Sequence, residues 1–103
     1  MIRLVLTTFA NAEDAAKAVR TLVDEQVVAC GTILPGARSI YRWKEAIEDS
    51  EEAVVLLKTS VERFPMLEER LHAIHPYETP EIVAIDPAAV SKDYADWVIG
   101  CVR

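Results

Sequence analysis

Five side chains in this sequence could hold a cation: Cys30, His72, His75, Glu78 and Glu81. A soft thiolate with imidazole suits copper, and imidazole with carboxylate suits copper(II) or zinc. His72 and His75 lie three residues apart, so a helix that persists through both puts them on one face. Each also has a plainer reading. Cys30 fits a small apolar residue buried in a strand. His75 fits the end of a helix, where its ring can meet the last carbonyls, and His72 fits a solvated helix face. Cys30 and His75 could pair as a nucleophile and its base. No G-x-S-x-G elbow, phosphate-cradling glycine loop or H-E-x-x-H motif accompanies them, however, and the sequence reads as non-enzymatic. Cys30 and Cys101 are too far apart in sequence for a C-x-x-C pair and make no disulfide framework or zinc finger.

These residues need a scaffold, and the chain has material for one domain spanning residues 1–103. Its 103 residues are 51% hydrophobic and 27% charged, a globular composition. Eleven Lys and Arg against 17 Asp and Glu give a net charge of −6, which argues against generic nucleic-acid binding and leaves cations as plausible partners. No stretch approaches the length of a membrane span, and the first residues lack the pattern of a signal peptide. The expectation is a soluble cytoplasmic protein with reduced thiols.

Ile2 to Thr8 is apolar and β-branched and predicts a buried strand. Asn11 can cap a helix carrying Glu13 and Asp14 in its first turn and running to about Gln26. Val27 to Leu34 predicts a second strand, bent at Pro35-Gly36 and resumed from Ala37 to Trp43. Glu48-Asp49-Ser50-Glu51 is read as the turn. The acidic run from Glu45 to Glu52 then becomes a charged hairpin tip that blocks end-on aggregation. Ala53 to Thr59 returns as the third strand. A helix from about Val61 to Ile74 buries Phe64, Leu67, Leu71 and Ile74, with Pro65 near its first turn and His75-Pro76 closing it. Glu81 to Asp86 is a short fourth strand, and Ser91 can cap a last helix bearing Tyr94, Trp97 and Val98.

The order is the ferredoxin-like βαββαβ plan of an α+β sandwich, with an extended hairpin between the second and third strands and a C-terminal helix. The second strand, Val28 to Trp43, would span about 50 Å, against a diameter of roughly 34 Å for a compact domain of this length. The hairpin should therefore overhang its core and carry Ile40, Tyr41 and Trp43 with it. Pairing those edges in an oligomer is the economical solution.

Ala29-Cys30, Ile33-Leu34-Pro35-Gly36, Ser39-Ile40-Tyr41-Arg42-Trp43, Leu57-Lys58-Thr59, the run from His75 to Ile82 and the closing Tyr94…Trp97 together resemble the CutA1 divalent-cation tolerance proteins. The resemblance runs in order over essentially the whole chain. It implies a ferredoxin-like homotrimer, similar in architecture to the PII signalling proteins, linked to divalent-cation tolerance and copper binding and without an accepted catalytic activity. Carried over by position, it supports Cys30, His75 and Glu81 as metal ligands. It also implies an inter-subunit cleft in which Trp43, Lys58 and Tyr77 could meet a small anion or a protein partner, the alternative to copper (or zinc) binding. Two departures stand out. The family usually follows Ala-Cys with an apolar residue and Asn, where this chain has Gly31 and Thr32. It usually has Gly two residues after the Trp, where this chain has Glu45.

Overall fold

A computed structural model describes all 103 residues. The elements are β1 (Ile2–Phe9), α1 (Ala12–Asp24), β2 (Cys30–Trp43), β3 (Ala46–Ser60), α2 (Phe64–Ile74), β4 (Val83–Ile85) and α3 (Lys92–Cys101). The four strands form one antiparallel sheet in the order β2-β3-β1-β4, the ferredoxin-like arrangement expected from the element order.

Side-chain alternation divides the sheet into two unlike faces. Val5 and Phe9 of β1 and Ala53, Val55 and Leu57 of β3 point to one face. There they meet Ala15, Ala18, Val19 and Leu22 of α1 and Leu67 and Leu71 of α2. The residues between them point the other way. On that face α3 covers one end only, where Val98 packs on Ile2 and Ala29. The rest is open: Leu34 is 48%, Val83 44% and Ile85 41% exposed.

Local chemistry explains the element ends. Asn11 caps α1, its Oδ1 accepting from the Asp14 amide at 2.8 Å, and Gln26 ends the helix region at φ 61°. Val27 and Val28 are buried, as an apolar strand start would be, but β2 begins only at Cys30. The Val27 amide is still donating to Leu22 O, so this stretch completes the helix end. The bend expected at Pro35-Gly36 is a bulge: the register slips between Leu34 and Ala37, and Gly36 sits at φ 75°, where a side chain is disfavoured. Gly31 has a different cause. A Cβ there would lie 2.8 Å from Val19 Cγ1 and 3.0 Å from Leu57 Cδ2, so its absence lets α1 approach β2 closely. This accounts for Gly31 in the first departure from the family pattern.

The expected turn at Glu48–Glu51 is corrected. The chain reverses at Lys44-Glu45, whose φ values of 48° and 71° are both left-handed, as a type I′ hairpin turn requires. Glu48 to Glu52 belong to β3 and pair with β2 from Tyr41 back to Ala37. Glu48 to Glu51 lack the alternation of a half-buried strand because neither side of the hairpin is well covered there, and burial begins only at Glu52. The backbone ladder holds them instead, aided by Arg38, whose guanidinium donates to both Asp49 carboxylate oxygens at 2.9 and 2.7 Å. The hairpin overhangs as expected, and the molecule measures 44 × 26 × 21 Å.

Candidate functional site: an acidic, aromatic cleft

Where α2 ends, His75 adopts an extended backbone and turns its ring inward. The ring stacks on Phe9 at 4.3 Å between centroids. Its Nε2 lies 2.7 Å from the Thr8 carbonyl, and its Nδ1 lies 3.1 Å from the Tyr77 amide. A carbonyl can only accept and an amide can only donate, so the ring is the neutral Nε2–H tautomer with both nitrogens occupied. Burial pushes its pKa down from 6.5, against the opposing pull of the Thr8 carbonyl and the charge of Glu52. The histidine thereby fixes the backbone of Tyr77. The Tyr77 hydroxyl in turn donates to Glu52 Oε2 at 2.8 Å. Burial first, and then Glu52, push the Tyr77 hydroxyl pKa strongly upward, so it stays a donor.

This chain of contacts ties the α2–β4 loop to the hairpin and leaves a cleft of about 770 Å³ between them. Ile40, Tyr41 and Trp43 form the hairpin wall, and Tyr77, Glu78 and Glu81 form the loop wall. Glu51 and Glu52 also line the cleft, whereas no Lys, Arg or His does. The field inside favours cations.

The candidate residues therefore separate. Trp43, Tyr77, Glu78 and Glu81 line the cleft, and His75 lies buried beside it as a scaffold for Tyr77. Lys58 and Cys30 belong elsewhere. They are register partners at the opposite end of the ribbon, near Tyr94 of α3, and Lys58 lies six residues along β3 from Glu52, about 20 Å of strand. There Lys58 Nζ donates to Thr32 Oγ1, and Cys30 Sγ lies 3.7 Å from Tyr94 Oη, whose pKa is raised by burial and by Cys30. His72 is exposed on α2. No three His, Cys, Asp or Glu side chains of one chain are placed to hold a metal ion. An anion in the cleft would face four glutamates and, within one chain, would lack Lys58.

Sequence reasoning missed Glu52, which it assigned to a charged tip. The available signal was the length of the second strand. A 14-residue strand needs a partner of matching length, which puts the turn just after Trp43 and Glu52 well inside the third strand.

Comparison with known proteins gives a consistent picture. The family model for the CutA1 divalent ion tolerance protein matches residues 3–100. The divalent-cation tolerance protein CutA of Thermus thermophilus is 42% identical over 98 residues, covering 95% of each chain. That of Pyrococcus horikoshii is 40% identical over 96 residues, covering 93% of each. A solved structure of the Thermus thermophilus divalent cation tolerance protein superposes with a TM-score of 0.94 at 40% identity, covering 100% of both chains.

Proposed function

Because the chain belongs to the CutA1 divalent ion tolerance family, we propose that it acts in divalent-cation tolerance as a non-enzymatic homotrimer that binds a divalent metal ion, copper foremost. The match over residues 3–100 carries the cation role. The bare sheet face and hairpin support assembly. Only 22 of 103 residues are buried, while 14 large hydrophobic side chains are exposed, among them Leu34, Ile40, Trp43 and Trp97. Apolar surface of that extent marks an interface.

The donors within one chain do not converge on a metal, and both His75 nitrogens are committed to Thr8 and Tyr77. Cys30, half-buried with a free thiol, and Glu81, exposed on the cleft wall, are the donors this reading retains. A closed site then needs a second chain. The thiol must be deprotonated to bind, so affinity falls with pH.

Copper titration against a competing chelator, with the assembly mass followed by light scattering, tests the reading. Stoichiometric binding that is lost in Cys30→Ser while the trimer persists supports it. Weak binding indifferent to Cys30→Ser and Glu81→Gln, or unchanged from pH 7.5 to 5.5, points to surface chelation and overturns it.

A further inference from the structure

His75 and Glu52 are the two ionisable side chains buried in the chain, at 7% and 8% exposure. Both engage Tyr77, His75 through the Tyr77 backbone amide and Glu52 through the Tyr77 hydroxyl. Three contacts in series therefore join β1 to the hairpin: Thr8 carbonyl to His75, His75 to the Tyr77 amide, and Tyr77 hydroxyl to Glu52.

The series exists in one protonation state only. A proton arriving at His75 Nδ1 turns that nitrogen into a donor, and it then faces the Tyr77 N–H, which also can only donate. That bond must break, whereas the Nε2–H bond to Thr8 is kept. The stack on Phe9 tolerates the charged ring, because an aromatic face attracts a cation. The charged ring then needs an acceptor at Nδ1, and Glu52 can supply it. Its carboxylate has one hydrogen-bond donor, the Tyr77 hydroxyl, and belongs to none of the six ion pairs. The charge of Glu52 favours a proton on His75, and His72 of α2 opposes it. β1 brings the Phe9 ring and the Thr8 carbonyl, neither of them titratable. Asp14 of α1 and Tyr41 of β2 act on the Tyr77 hydroxyl, and Glu51, Glu78 and Glu81 line the cleft with Tyr77.

We propose that His75, Tyr77 and Glu52 form an acid-opened latch between the α2–β4 loop and the hairpin. The latch is closed while His75 is neutral. Protonation at Nδ1 releases the Tyr77 amide, and Glu52 exchanges the Tyr77 hydroxyl for the imidazolium. The sheet and its helices stay in place, and the loop leading into β4 is freed. With both nitrogens engaged, His75 is not among the metal donors retained above, so the latch does not depend on the copper reading.

Nitrogen NMR of the histidine rings and backbone amides of the full-length protein, from pH 7.5 to 5.0, tests this, with the assembly mass followed by light scattering. At pH 7.5 His75 should be the Nε2–H tautomer. Below pH 6.5 its ring and the Tyr77 amide should titrate with one midpoint. Protection of that amide against hydrogen exchange, corrected for the intrinsic pH dependence, should fall at least roughly tenfold. Amides in the centre of β1 and β3 should keep their protection. Tyr77→Phe removes the hydroxyl that competes for Glu52 and should raise the His75 midpoint by about one pH unit. Glu52→Gln should lower it, and His72→Gln, on an exposed residue, should shift it far less than either. If Glu52→Gln does not fold, Tyr77→Phe decides the matter. A His75 ring that stays neutral to pH 5.0, or a Tyr77 amide that does not follow it, would overturn the proposal. So would loss of protection in the core strands at the same pH, or a midpoint indifferent to Tyr77→Phe.

Discussion

Near the base of the β2–β3 ribbon, Val55 and Leu57 are fully buried beneath the helices. Towards its tip, Ile47 is 68% exposed and Ile40 63%. The same antiparallel ladder runs through both regions, so backbone hydrogen bonding does not separate them. What differs is the surface each covers. The base draws its stability from burial within its own chain, whereas the tip is held by its ladder and, on the proposed assembly, by another copy. Its charged residues, Glu48, Asp49, Glu51 and the paired Arg38, suit a strand segment left exposed within its own chain. Two sources of stability in one ribbon respond differently to substitution and to protein concentration.

Leu57→Ala should have the largest effect, a loss of about 2–5 kcal/mol in denaturant unfolding, because it opens a cavity in the main core. Ile47→Ala should leave the unfolding of a dissociated chain nearly unchanged and lower the midpoint only where assembly contributes, making that change concentration-dependent. If Ile47→Ala costs as much as Leu57→Ala in a monomer, the comparison breaks.

Gly31→Val should come next, at about 1–3 kcal/mol lost to overpacking against Val19 and Leu57, read by the same titration. At the other end of the ribbon, Glu45→Gly should stabilise. Its left-handed φ of 71° suits glycine, and relief of that strain in a type I′ turn contributes on the order of 1 kcal/mol. A neutral or destabilising result would mean that the tip gains something from the Glu45 side chain.

The pH response sharpens the contrast further, because His75 belongs to the base. Burial holds its folded-state pKa below the unfolded value near 6.5, so the unfolded chain binds the proton more readily. The stabilisation is complete above pH 6.5 and is lost as pH falls through the folded pKa. Thermal unfolding of wild type and His75→Gln between pH 5 and 8 should show a slope that the variant reduces.

Most of the framework was legible in the sequence because periodic burial writes it there. The apolar run of β1, the Asn11 cap, the α1 stripe and the Pro35-Gly36 irregularity all follow from local rules. The distal half of β3 was not legible, since a strand exposed on both sides carries no alternation and its acidic residues look like a turn. The cleft was half legible. Within one chain Trp43 and Tyr77 line one cleft while Lys58 lies about 20 Å of strand away; residue type does not reveal how far along the ribbon a side chain sits. His75 illustrates the same limit: a histidine before a proline reads equally as ligand or scaffold until its two nitrogens are seen to be engaged.

The close approach at Gly31 has a consequence across lineages. With Val19 methyls within 3.0 Å of where a Cβ would stand, positions 19 and 31 share one volume and cannot drift independently. A relative with an apolar side chain at the position of Gly31 must have a smaller residue opposite, or a helix standing farther from the sheet. The two sites should therefore exchange bulk as a pair, and a history that enlarged one first would have passed through a less stable intermediate.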